Sequence, residues 1–367
     1  MLLSKILTLA FTLILPLGLV SAVGCSGAKP SDTSAPSAVP ADTANSSDSA
    51  SFSPTSSRLT DEQIKMSSYL GNWSGKINDI KTQQQNKFTF AIQTDIHYYD
   101  LDDTMTANNL AALSNFVELD FYANLGDLVR GYSIQDIDSP ENMRACMDEL
   151  VKRYTQNAKC PVMMTVGNHD TNIMWCMKWA DHTAQITPAE QLERIYQPLK
   201  AHNGDAMVTD EDGSYYYIDF PQKGVRAVML NTSNGTYDGT DYSKLFTISD
   251  KQVEWFKNDA LNTDLSVIVM CHTPLLADFP DNGNAVNNSD AIRKAVDDFV
   301  TSGGKFVAYF YGHTHSQNVV VEDSGRLHIS FGKGNNSGEV VMIDLQSKII
   351  NTIGLGSIKD RELKYDF

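Results

Sequence analysis

Five near-continuous apolar runs constrain the fold of this chain more than any other feature: KFTFAIQTD (87–95), LDFYANLGD (119–127), CPVMMTVGNHD (160–170), LSVIVMCHTP (265–274) and KFVAYFYGHTH (305–315). A strand that is apolar at successive positions is covered on both faces. The stretches 104–118, 139–157, 187–199, 249–261 and 289–301 read as helices. Two carry capping-box patterns, Thr187 with Glu190 behind Pro188, and Ser249 with Gln252. SYYYIDF and VRAVMLN flank Pro221–Gly224 as a hairpin, and RLHISF and EVVMIDL add strands near the end. The alternation predicts a layered α/β domain.

Each of the five runs closes on a residue able to bind a metal. These are Asp95 with His97, Asp127, Asn168 with His169, His272, and His313 with His315. Ligands of open α/β sheets bind beyond the carboxyl ends of the strands, so all these groups have a common place to meet. Side chains alternate along a strand, and the i, i+2 spacing of Asp95/His97 and His313/His315 predicts that each pair shares one face. Of the eight histidines, five belong to this set. His182, His202 and His328 lie outside it and read as surface or structural residues. Cys146, Cys160, Cys176 and Cys271 match no zinc spacing and leave disulfides and buried thiols both open. Cys271 precedes His272 and is expected to face the core.

Taken in order, Asp95-Ile96-His97, Gly126-Asp127, Gly167-Asn168-His169-Asp170, His272 and Gly312-His313-Thr314-His315 resemble the five signature blocks of calcineurin-like metallophosphoesterases. The resemblance runs from about 88 to 345. It implies a four-layer α-β-β-α sandwich with two central mixed β-sheets and a dinuclear site of Mn, Fe or Zn ions. By position, one ion takes Asp95, His97, Asp127 and His315, and the other takes Asp127, Asn168, His272 and His313, with Asp127 bridging. A hydroxide between the ions would attack phosphorus in line. The resemblance makes His169 the residue that serves the leaving group, work suited to an imidazole near neutral pH. Arg130 is a candidate for a substrate phosphate. The chain departs from the protein phosphatase branch, because Gly126-Asp127-Leu128-Val129-Arg130-Gly131 lacks that branch's second aspartate and GNHD replaces GNHE. It departs from the purple acid phosphatases too, since Arg130 stands where they carry tyrosine and Tyr132 lies two residues on.

Residues 1–24 hold one early cation, Lys5, an apolar run broken by Pro16, and small residues at the end, the pattern of a signal peptide. SAVGC resembles the lipobox of bacterial lipoproteins, which implies a lipidated Cys25 as the mature N-terminus. Residues 25–58, rich in Ser, Ala, Thr and Pro, read as a disordered tether, and 59–367 as the folded domain, opening with a helix after Thr60. The net charge of −16 argues against a broad nucleic-acid surface. It does not exclude phosphate substrates, because bound cations would invert the local field. The expectation is an exported, lipid-anchored enzyme whose partner is a phosphate-ester substrate, monoester or diester, and which meets the membrane through its lipid alone. The rival is a non-catalytic lipoprotein that binds phosphorylated ligands on the same fold. The loops 171–186, with the aromatic MWCMKW at 174–179, and 281–289 are where substrate choice would reside.

Overall fold

The computed structural model describes residues 73–103, 111–131, 139–173, 176–177, 182–235, 241–281, 284–334 and 337–366. The expected leader, Cys25, the tether, the helix after Thr60, Tyr132 and most of MWCMKW lie outside the described residues. In chain order the strands are β1 (Phe88–Gln93), β2 (Phe121–Asn124) and β3 (Val162–Met164), then β4 (Met207–Thr209), β5 (Tyr216–Phe220), β6 (Val225–Met229), β7 (Ser266–Cys271), β8 (Lys305–Tyr311), β9 (Val319–Val321) and β10 (Leu327–Ser330), and last β11 (Gly338–Asp344), β12 (Ile349–Leu355) and β13 (Arg361–Lys364). The first sheet has the order β13-β12-β11-β1-β2-β3 and the second β4-β5-β6-β7-β8-β10-β9. Both are mixed. β1, β2 and β3 run parallel, as do β6, β7, β8 and β10, while the outer strands are antiparallel.

The strand periodicity explains the layering. Ile268 and Met270 of β7 join the core between the sheets, while Val267, Val269 and Cys271 join a second core on the opposite face. Phe90 of β1 meets Phe310 of β8 edge-on across the sandwich, with ring centroids 5.7 Å apart. Tyr216 of β5 spans the same gap: its hydroxyl accepts from Met164 N and donates to Met164 O.

Helices complete the four layers. On the first sheet lie α1 (Trp73–Gln83) and α2 (Pro140–Asn157), with α3 beside them (Pro188–Gln191, prolonged by a π turn Leu192–Tyr196 and by Gln197–Asn203). On the second sheet lie α4 (Asp250–Trp255, prolonged by a π turn Phe256–Ala260) and α5 (Ser289–Thr301). α2 shows why such segments are helical. Ser139 caps the Asn142 N–H, Pro140 opens the first turn, and Met143, Met147, Leu150 and Tyr154 face inward at helical spacing. The box at Thr187 and Glu190 closes in both directions. At Ser249 only half of it forms. Gln252 is buried and pairs through its amide with Asn231 N and O, so its side chain is unavailable to the cap. Within the segment read as a helix at 104–118, the described part is a 3-10 turn, Ala111–Asn115.

Candidate metal centre

β1, β2, β3, β7 and β8 all end beneath one surface, but the strands stop short of the site residues. β1 ends at Gln93 and β8 at Tyr311, so Asp95, His97, His313 and His315 stand on turns rather than on strands. The i, i+2 pairs do meet, though for a different reason from strand alternation. All four residues, and Asp127, have positive φ, which turns their side chains inward from tight loops. The loops are laced together: Asp95 N donates to Gly126 O (2.9 Å) and His97 N to Asp127 O (3.0 Å). Two motif glycines allow this approach. A Cβ on Gly167 would fall 2.1 Å from Asp127 Oδ1, and one on Gly312 would fall 1.9 Å from Thr94 Oγ1.

Two groups of donor atoms result. Asp95, His97, Asp127 and His315 place one ligand atom each within 4.8 Å of one another, and so do Asp127, His272 and His313. Asp127 belongs to both. Asn168 joins the second group, with its Oδ1 3.1 Å from His272 Nε2 and 3.0 Å from His313 Nδ1. In the first group His97 Nε2 and His315 Nε2 face each other at 3.2 Å. Asp95 Oδ1 is buried without a hydrogen-bond donor, 3.2 Å from His315 Nε2. Imidazole nitrogens and carboxylate oxygens converging on one point, with a buried carboxylate oxygen lacking a donor, fit a cation in each group.

The surroundings fix tautomers and charges. His272 Nδ1 lies 2.8 Å from Leu125 O, so Nδ1 carries the proton and Nε2 offers its lone pair to the centre. His313 Nε2 meets the side-chain amide of Asn284 at 3.0 Å, opposite its inward-facing Nδ1. Burial favours the neutral form of Asp127, but the His272 and His169 charges outweigh it and hold the carboxyl well below its usual range. Burial likewise works against Asp95, but the close approach of His315 and the His272 charge bring it below its usual value. His272 itself is raised to about 9: burial opposes this, but the charge of Asp127 prevails. Burial lowers His97 to about 3 and His313 to about 4.

His169 Nδ1 lies 2.5 Å from the Arg130 carbonyl, and its Nε2 faces the centre, 3.9 Å from Asp127 Oδ2. Arg130 therefore reaches His169 through its backbone, while its guanidinium stacks on the Tyr99 ring, 3.7 Å from the centroid. Asp170 does not touch the His169 ring. Its buried carboxylate accepts from Val129 N and Gly167 N and so ties the loop of Asp127 to that of Asn168. Burial and the nearby Asp127 charge raise its pKa to about 7.

Three other residues stand at the centre: Asp170, which closes the GNHD block without being a ligand, Asn284 of the 281–289 loop, and Tyr242, which no motif marks. Tyr242 stands edge-on to Phe246, which stands edge-on to His313. Burial, followed by the Asp127 charge, raises the pKa of that phenol. The remaining residues are structural. His202 bonds Cys160 O, and His328 is buried against Tyr311 and Glu322. Cys146, Cys160, Cys176 and Cys271 are buried thiols outside any disulfide, and Cys271 faces the second core.

A family model described as calcineurin-like phosphoesterase matches residues 88–317. Among solved structures, a dimetal phosphatase from Danio rerio is similar, with a TM-score of 0.53 at 14% identity, covering 76% of this chain and 99% of that one. A 5'-nucleotidase from Candida albicans has a TM-score of 0.39 at 17% identity, covering 70% of this chain and 48% of that one. At 14% identity the likeness to the Danio rerio enzyme is one of fold. No curated protein matches the chain.

Proposed function

The chain belongs to the calcineurin-like phosphoesterase family and is a metal-dependent hydrolase of phosphoric esters, and from that premise we propose how its residues divide the work and where it acts. Asp95, His97, Asp127 and His315 hold one ion, and Asp127, Asn168, His272 and His313 hold the other. The observation that carries this reading is the sharing of Asp127 between the two donor groups. When bound, the two ions supply the charge that acidifies a water and draws electron density from the phosphoryl oxygens.

The protein's own groups supply the rest. His272 is fixed in the tautomer a ligand needs by the Leu125 carbonyl. His169 donates Nδ1–H to Arg130 O, which turns Nε2 toward the centre, where it can pass a proton to the departing oxygen. Arg130 meets a substrate phosphate from its stack on Tyr99. In His169→Ala, hydrolysis of a chromogenic phosphate ester should fall by 10²-fold or more, in order of magnitude, while two metals stay bound. In Asp127→Ala both metal and activity should go. Full turnover in both variants, each folded by circular dichroism, would sink the assignment.

We further propose that the domain works outside the cytoplasm, held by a lipid on Cys25. The support is the leader and lipobox pattern of residues 1–25. Among the described residues no helix is long and apolar enough to cross a membrane. Expressed in a bacterial host with labelled palmitate, the wild type should take up label and sediment with membranes. Cys25→Ser should be unlabelled and soluble, and equal behaviour of the two would refute the anchor.

A further inference from the structure

The loop after β10 brings a lysine to the metal centre that no motif marks. Residues 331–334 read Phe-Gly-Lys-Gly. Phe331, Gly332 and Gly334 are buried, and Lys333 between them is exposed. The loop is pinned from both sides. Lys333 N donates to the carbonyl of His315 at 3.4 Å, and Gln93 Nε2 donates to Gly334 O at 2.9 Å. A Cβ on Gly334 would fall 2.8 Å from Thr94 O, so the backbone lies flush against the turn that carries Asp95. Lys333 is thus the exposed residue of a loop whose backbone bonds His315 and abuts the turn that carries Asp95.

The ammonium of Lys333 has no carboxylate partner and no hydrogen bond among the described residues. Its charge is felt at the centre, where it adds to the lowering of the His97 pKa. Arg130, by contrast, stacks on Tyr99.

Building on the phosphoesterase reading above, we propose that Lys333 selects substrates whose phosphate carries a second negative charge. The acidic surface repels such dianions at long range. A fixed cation at the edge of the centre offsets that repulsion for a phosphate monoester, which carries nearly two charges at neutral pH, more than for a diester, which carries one. Lysine acts here as a point charge, so arginine should serve in its place while a neutral isostere should not.

The test uses the full chain loaded with Mn²⁺, with p-nitrophenyl phosphate and bis-p-nitrophenyl phosphate as probes. In Lys333→Gln, KM for the monoester should rise about tenfold, the effect of losing one partly solvated ion pair. kcat should stay within about twofold, the diester should be unaffected, and Lys333→Arg should restore the monoester KM. Equal losses on both esters, or no loss on either, would overturn the proposal. If the wild type turns over neither ester, the phosphoesterase reading fails separately, and calorimetry with inorganic phosphate then tests Lys333. Roughly tenfold weaker binding to Lys333→Gln would support the role. Equal binding to both chains, or none to either, would end it.

Discussion

At Asp95, His97, Asp127, His313 and His315 the backbone is left-handed, with φ of 55°, 51°, 50°, 66° and 56°. A non-glycine residue held there costs on the order of 1 kcal/mol or more, and it persists only where its surroundings over-determine it. Here the surroundings are other parts of the same site: the Gly126 and Asp127 carbonyls for Asp95 and His97, and Asp95 Oδ2 for the His313 N–H. Gly167 lies against the shared carboxylate itself. In Gly167→Ala the new methyl lands 2.1 Å from Asp127 Oδ1 and 2.4 Å from Asp127 N, and a backbone atom has nowhere to go. Overpacking of this kind should lower stability by about 1–3 kcal/mol. Displacing the shared carboxylate should also remove at least one bound metal and lower kcat/KM by roughly 10²-fold. Metal counting by mass spectrometry on the folded variant checks this, and two metals with full activity would show that the loop yields. The ligands were legible in the sequence because five apolar runs each end on a metal-binding residue type. The left-handed turns that aim them were not, since those are imposed by bonds between loops far apart in the chain. The roles of Tyr242, Asn284 and Lys333 were invisible for a related reason: single polar residues in loops show no period.

Among elements, legibility followed length and burial. The interior strands β1, β7 and β8 are buried along nearly their whole length, and their apolar runs announce them. β13 is an edge strand of sequence RELK with no fully buried residue, so only its pairing with β12 makes it a strand. β4 and β9 are three residues each and owe their existence likewise to a neighbour. Caps divide in the same way. Thr187 and Glu190 satisfy each other locally, and Glu190 also takes Arg144 of α2, so the local pattern and the tertiary contact agree. At Gln252 they compete. Two hydrogen bonds to the buried backbone of Asn231 outweigh one exposed cap bond, because an unmet buried backbone group costs more than a cap that water can replace. A sequence pattern shows which bonds a side chain can make, and burial decides which it does make.

For the folded domain as a whole, the site is also a joint. The first sheet supplies Asp95, His97, Asp127 and Asn168, and the second supplies His272, His313 and His315. Protein bonds already cross there, from His272 Nδ1 to Leu125 O and from His313 N to Asp95 Oδ2. Opposing them, the buried carboxylates of Asp95 and Asp127 repel each other, the Asp127 charge acting to raise the Asp95 pKa. Cations bound between the sheets would cancel that repulsion and tie the sheets together, and anything that binds only the folded state stabilises it by mass action. At about a hundredfold excess over Kd each ion contributes ~2.7 kcal/mol. In a domain of this size each kcal/mol moves Tm by roughly 2–4 °C. Stripping the metals with a chelator should therefore lower Tm by about 10 °C or more, and added Mn²⁺ or Zn²⁺ should restore it. Asp127→Ala supplies the control, because with the shared ligand gone its Tm should respond weakly to chelator and to added metal alike. A wild-type Tm indifferent to both, at metal concentrations that sustain turnover, would mean that the two sheets are held by their hydrophobic core alone and that the ions serve chemistry without serving the fold.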